Sequence, residues 1–169
     1  RVWQYACREE HIPAAGDYSV YDLGQQSFVI TRTESGALKA FYNSCRHRGT
    51  KLKPSGSSGT SRSIACPFHG WEWNLDGSNK NIPCAWDFPQ VERSEVSLIE
   101  ARVASWNGFV FINPSQAGPG LLEYLEVLPA HFANWDYTHW YVHAHVHCQR
   151  RTHKLAERDA LCARFANNA

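Results

Sequence analysis

Two short runs in this 169-residue chain carry the donor atoms that bind metals: Cys45-Arg46-His47 and, after eighteen intervening residues, Cys66-Pro67-Phe68-His69. Each run offers one thiolate and one imidazole. Zinc modules usually pair Cys with Cys in one knuckle and His with His in another, so mixed halves suit a mononuclear zinc site poorly. Two loops that each supply a Cys and a His can instead grip a two-iron, two-sulfide core, with sulfur ligands on one iron and nitrogen ligands on the other. That is the favoured reading; a zinc site and four independent structural residues are its alternatives. A disulfide framework would also use six Cys, but positions 7, 45, 66, 84, 148 and 162 are widely scattered, and two of them sit beside His. Cys7, Cys84, Cys148 and Cys162 are expected to be ordinary buried or free thiols.

The elements that must hold these runs read as short strands broken by turns. Tyr18–Leu23, Ser27–Thr31 and Leu38–Tyr42 have strand length, with Gly24 and Glu34-Ser35-Gly36 between them. Val96–Val103 and Phe109–Asn113 continue the pattern, joined by the hairpin dipeptide Asn107-Gly108. An antiparallel sandwich or barrel follows. Two irregular segments interrupt it, Asn43 to about Ser63 and Cys66 to about Ile82, and the Cys and His runs lie in them, where loops on a rigid sheet usually carry binding chemistry. After the linker-like Pro114–Gly120 the pattern changes. Leu121, Leu122, Leu125 and Leu128 recur at helical intervals, predicting helix over roughly 120 to 134. Tyr137–His147 alternates apolar residues with His, and a charged helix is expected from Gln149 onward.

The run Asn43-Ser44-Cys45-Arg46-His47-Arg48-Gly49-Thr50-Lys51-Leu52, followed by Cys66-Pro67-Phe68-His69-Gly70-Trp71-Glu72-Trp73, resembles the N-terminal Rieske domain of aromatic-ring-hydroxylating oxygenase large (alpha) subunits. In weaker form the likeness extends from about Trp3 to Tyr141. It implies a mainly β fold, a Rieske-type antiparallel β-sandwich with two cluster-binding loops, followed by a short α/β extension. Residues 1–115 would form the [2Fe-2S] domain, and 116–169 a linker and the start of a largely missing catalytic domain. The resemblance implies that Cys45, His47, Cys66 and His69 bind the cluster, the two Cys on the buried ferric iron and the two His on the outer iron that changes valence. It implies electron transfer from a ferredoxin or flavin reductase to a mononuclear Fe(II) in a catalytic domain outside this chain, where an apolar, often aromatic, substrate is hydroxylated. A homotrimer or hetero-oligomer of large subunits is implied as well, with His69 linked through an Asp of the neighbouring subunit. Respiratory Rieske proteins are similar in pattern but carry an additional Cys in each loop, where this chain has Thr50 and Phe68. A stand-alone Rieske ferredoxin-like carrier is the alternative function, and a zinc-binding interaction module a third.

Composition narrows the partners. Apolar residues make up 43% and charged residues 20%, with seven Trp, seven Tyr and eight Phe, which is a globular composition. Seventeen Lys plus Arg against sixteen Asp plus Glu give a net charge of +1, too balanced to make nucleic acid or an anionic membrane the main partner. Arg46, Arg48, Lys51, Lys53 and Arg62 surround the first run and are read either as a solvated loop or as a docking patch for an acidic electron donor. No apolar run approaches the length of a membrane span, so a cytoplasmic location is expected. There is no Met, and the reading frame is expected to begin upstream. Asp136, His139 and His143 have the residue types of a two-His-one-carboxylate iron site, but the family places those ligands beyond an Asn-Trp-Lys stretch not found here. No catalytic iron ligand is assigned. His143, His145 and His147 are expected to be partly exposed strand histidines.

Overall fold

The structure, a computed structural model, describes residues 2–135 and 137. Among the described residues ten strands form two antiparallel sheets. β1 (Gln4–Arg8), β2 (Asp17–Leu23), β3 (Gln26–Arg32), β4 (Leu38–Tyr42), β5 (Ser58–Thr60), β9 (Glu100–Trp106) and β10 (Phe109–Asn113) make a seven-stranded sheet in the order β1-β10-β9-β4-β3-β2-β5. A small sheet, β6-β7-β8, is built from β6 (Ile64–Ala65), β7 (Glu72–Trp73) and β8 (Asn79–Asn81).

The large sheet folds over on itself. Phe28, Ile30 and Ala40 from one half share a core with Cys7, Ala101, Val110 and Ile112 from the other, while β4 and β9 join the halves through Ala40 opposite Ala101. The outer face of β3 and β4 is covered too, since Val29 and Phe41 pack with Ile64, Trp73 and Ile82 around the small sheet. Strand β3 is therefore buried on both faces. That is why Phe28-Val29-Ile30 reads as a continuous apolar run rather than an alternating one. A buried hydrogen bond from Thr31 Oγ1 to the Leu75 carbonyl, 2.9 Å, ties the two layers.

The predicted strands over 18–23, 27–31, 38–42 and 109–113 form, and the 106–109 hairpin turns at Asn107-Gly108 as expected. The strand predicted over 96–103 starts later. Leu98 N–H donates to Gly77 and the Val96 carbonyl accepts from the Trp73 indole, so this backbone is committed to the small sheet, and β9 begins only at Glu100. Strand β1 and the short strands β5, β6, β7 and β8 are additions to the sequence reading. The predicted helix over 120–134 is two short pieces, α1 (Leu121–Leu125) and α2 (Leu128–His131). Glu126 at φ 50° breaks the first, and Pro129 stands in the first turn of the second. Leu121 and Leu125 pack on Trp3 against the β9–β10 side of the sheet. The expected strand at 137–147, the charged helix after Gln149, Cys148 and Cys162, and Asp136, His139, His143, His145 and His147 lie outside the described residues. Among the described residues no helix is long and apolar enough to cross a membrane.

Candidate metal centre

Both half-sites are built to one local plan. In the first loop, Cys45 N–H donates to the Thr50 carbonyl at 2.8 Å and Gly49 N–H to the Cys45 carbonyl at 2.9 Å. In the second, Cys66 N–H donates to the Trp71 carbonyl at 2.8 Å and Gly70 N–H to the Cys66 carbonyl at 3.1 Å. Each loop thus closes a tight turn between the Cys and the residue five positions on. The turn needs a left-handed residue at its fourth step, and Gly49 and Gly70 supply it at φ 74° and 70°. A Cβ on Gly70 would also crowd Pro83 at 3.3 Å.

The first loop leaves β4 and is stapled by Asn43. This buried side chain accepts from Leu52 N–H (3.0 Å) and Lys53 N–H (2.9 Å) and donates to the Lys53 carbonyl (2.8 Å) and Ser27 Oγ (3.0 Å). The second loop is the connection between β6 and β7, held by the Ile64–Trp73 and Ala65–Glu72 pairs. Cys45 and Cys66 are both buried, in the same core as Trp71 and Trp73.

The four expected donors come together as two pairs. The two thiols are hydrogen-bond neighbours, and the His47 and His69 rings lie 4.8 Å apart between centroids. Burial pushes the Cys45 thiol up, against the N–H groups of His47 and Arg48 that point at its sulfur. Burial acts against ionising Cys66 too, but the N–H groups of His69 and Phe68, with the Cys45 thiol and the Thr50 hydroxyl, outweigh it and bring Cys66 below its ordinary value. N–H groups aimed at sulfur are also what tunes a thiolate-held cluster. Burial, then the neighbouring His69 and Arg48, lower the affinity of His47 for a proton, which keeps its imidazole in the neutral form that binds metal.

Among the described residues two buried side-chain atoms lack a hydrogen-bond partner, Asn79 Oδ1 and, at this site, a ring nitrogen of His47. His47 Nδ1 is buried and has no hydrogen-bond partner. A buried ring nitrogen without a partner is costly unless it serves as a ligand. Among the described residues no three His, Cys, Asp or Glu side chains gather around one point, whereas a binuclear core asks for two donors at each iron. The paired thiols and paired imidazoles are the donor types that a [2Fe-2S] cluster with two nitrogen ligands would take.

Sequence reading missed three residues at this site. Thr50, noted only for the position it fills, contributes a hydroxyl to Cys66. Asn43 organises the first loop, and Phe88 sets its ring against His47 at 5.6 Å. An Asn directly after a strand and before a Cys is a loop-stapling signal that could have been used for the first of the last two. The basic surround is smaller than expected. Arg46 and Arg48 are exposed beside His47, with Arg46 also donating to the Glu95 carbonyl. Lys51 turns to Ser55 and Asp22, Lys53 lies over the Tyr18 ring at 4.5 Å, and Arg62 lines a cleft with Glu34 and Asp76.

A family profile described as "Rieske [2Fe-2S] domain" matches residues 2–93, which include both half-sites. The chain is 33% identical over 126 residues to the chlorobenzene dioxygenase subunit alpha of Cupriavidus sp. (strain PS12), covering 74% of this chain and 28% of that protein. It therefore spans little more than a quarter of the length of such relatives. Among solved structures, a naphthalene 1,2-dioxygenase variant bound to phenanthrene superposes with a TM-score of 0.72 at 30% identity, over 78% of this chain and 30% of that one. The quaternary ammonium Rieske monooxygenase CntA with L-carnitine gives 0.74 at 27% identity, over 79% and 38%. With more than half of its length matched by that profile, the chain belongs to the Rieske [2Fe-2S] domain family.

Proposed function

We propose that this chain is the electron-transfer portion of a Rieske non-haem iron oxygenase large subunit, in which Cys45 and Cys66 hold one iron of a [2Fe-2S] cluster and His47 and His69 the other. The observation that carries the assignment is the partnerless, buried Nδ1 of His47, whose ring lies beside that of His69 while Cys45 lies beside Cys66. When bound, such a cluster supplies one-electron transfer at a potential raised by its two nitrogen ligands, within about −150 to +300 mV. The chain's residues do the rest. Backbone N–H groups of both loops and the Thr50 hydroxyl stabilise the thiolates, the low proton affinity of His47 keeps it available as a neutral ligand, and exposed His69 gives the site an outward face.

In this reading a ferredoxin or flavin reductase donates electrons, with Arg46 and Arg48 beside His47 as the cationic contact for an acidic donor. The electrons serve a mononuclear Fe(II) in a catalytic domain outside this chain, which hydroxylates an apolar, aromatic substrate, in a homotrimer or hetero-oligomer located in the cytoplasm. The domain boundary is proposed at 115/116, because β10 completes the large sheet at Asn113. The aromatic-substrate reading is supported by the names of relatives such as chlorobenzene dioxygenase, whereas CntA, a quaternary ammonium monooxygenase, shares the architecture at lower identity.

The test is metal and spectroscopic analysis of the protein purified without oxygen. Two irons and two sulfides per chain are expected, with a reduced-state EPR signal whose average g lies below the free-electron value. Replacing Cys45, His47, Cys66 or His69 by Ala should each abolish it, while Cys7→Ser and Cys84→Ser leave it intact. A zinc-loaded, colourless protein would overturn the assignment.

A further inference from the structure

We propose that Phe88 is a positioning residue that, together with Trp71, shields one side of the half-buried His47 from water, leaving His69 as the more open imidazole of the pair. The inference rests on the reading of His47 as a cluster ligand. Trp71 lies flat on the His47 ring, 5.0 Å between centroids with 7° between planes. Phe88 stands across both rings, edge-on to His47 (5.6 Å, 78°) and to Trp71 (5.7 Å, 82°). His47, half-buried as a residue, is therefore flanked by an aromatic face and an aromatic edge, and its Nδ1 is buried. By contrast His69 is exposed, and the Phe68 ring beside it at 4.0 Å is itself 65% exposed.

Phe88 belongs to neither ligand loop. It is carried by a strap, residues 82–98, that crosses the site and is tied down at both ends. At its start, Pro83 packs on Gly70. There the backbone turns sharply at Cys84 (φ 54°), with Asp87 N–H on the Cys84 carbonyl, Phe88 N–H on Ala85 and Val91 N–H on Phe88. At its end, the Val96 carbonyl accepts the Trp73 indole N–H at 2.8 Å and Leu98 N–H donates to Gly77 at 2.9 Å. Within the strap Trp86 is 78% exposed, whereas Phe88 packs on the core that contains both Cys. The turn therefore directs one aromatic side chain inward, over the imidazole.

The shielding has a redox consequence. Adding an electron to the site adds a negative charge, which water stabilises better than the Trp71 and Phe88 rings do. Shielding His47 holds the potential down, and removing the shield should raise it.

The experiment uses the full chain with its cluster and the variants Phe88→Ala, Phe88→Leu and Val91→Ala; Val91 packs on the same core. Two quantities are read: the reduced-to-oxidised ratio at a fixed ambient potential, and deuterium coupling to the reduced cluster by pulsed EPR in heavy water. Phe88→Ala should raise the ratio several-fold, a tenfold rise corresponding to about 59 mV for a one-electron couple. It should also increase the deuterium coupling. Phe88→Leu should lie between it and the wild type, and Val91→Ala should match the wild type. Wild-type values in both Phe88 variants, or the same shift in Val91→Ala, would overturn the proposal. Should Phe88→Ala fail to retain its cluster, Phe88→Leu decides by the same criterion. A wild-type protein without a Rieske-type signal would instead strike at the ligand assignment itself.

Discussion

Replacing Asn43 by Ala removes the staple of the first ligand loop without touching a ligand. The Asn43 side chain makes four hydrogen bonds, two accepted from Leu52 and Lys53 N–H and two donated to the Lys53 carbonyl and Ser27 Oγ. Leu52 is 4% exposed, so its N–H cannot be rehydrated without opening the loop, whereas the Lys53 groups are half-buried and within reach of water. A stranded buried donor costs about 1–3 kcal/mol and each of the other three hydrogen bonds, exchanged for water, about 0.5–1.5 kcal/mol, so the variant should lose roughly 2.5–7.5 kcal/mol of stability. Urea unfolding followed by both far-UV dichroism and visible cluster absorbance measures this. The midpoint should fall with an unchanged slope, since the folded and unfolded surfaces are the same. Cluster loss should also accelerate under native conditions, because the loop carrying Cys45 and His47 opens first. A stability change below about 0.5 kcal/mol, the range of an inconsequential surface substitution, together with wild-type cluster retention, would refute the reasoning.

Other perturbations probe the same architecture. Gly70→Ala forces a side chain into a left-handed turn at φ 70° and against Pro83, and should cost about 1–2 kcal/mol in backbone strain alone, read by urea midpoint; an unchanged midpoint would contradict the turn geometry. Alkylation at pH 8 followed by peptide mass spectrometry should label exposed Cys84 and spare Cys7, whose thiol burial pushes up to about 11; equal labelling would show that Cys7 is not enclosed as described. Glu9, Asp17, Asp22, Glu72 and Asp76 all titrate below their ordinary values, chiefly because Ser105, Thr60, Ser27, Ser63 and Ser78 respectively donate hydroxyl hydrogen bonds to them. Groups depressed in the folded state contribute stability that is complete above the unfolded carboxylate range and disappears as pH falls through the folded values. The thermal midpoint should therefore drop on acidification below about pH 5, with Asp17→Asn and Glu72→Gln flattening that limb; a flat wild-type profile would contradict it.

The parts of the fold legible in the sequence were those fixed by local chemistry. Strands β2, β3, β4 and β10 are bounded by turn residues, and the two half-sites are readable because ligand type and spacing are local properties of each loop. Elements decided by distant partners were not readable. The backbone of 96–98 has strand-like residues, yet it is drawn into hydrogen bonds with Trp73 and Gly77. Strands β7 and β8 are too short to show a period, and β1 carries no flanking turn signal. Leucine spacing after Gly120 signals helix correctly but says nothing of the break at Glu126. At the site, the thiolates and imidazoles could be named from sequence, but the groups that condition them could not. Phe88 reaches His47 only through the fold of the strap, and the basic cluster thins because Lys51 and Lys53 find partners of their own.

Mössbauer spectroscopy of the full chain loaded with isotopically enriched iron tests the ligand division most directly, since it reports each iron separately. Two inequivalent irons are predicted in equal amounts: one in an all-sulfur environment that stays ferric on reduction, and one with nitrogen ligands that becomes ferrous. Two equivalent all-sulfur irons, or a single mononuclear species, would contradict the pairing of Cys45 with Cys66 and of His47 with His69.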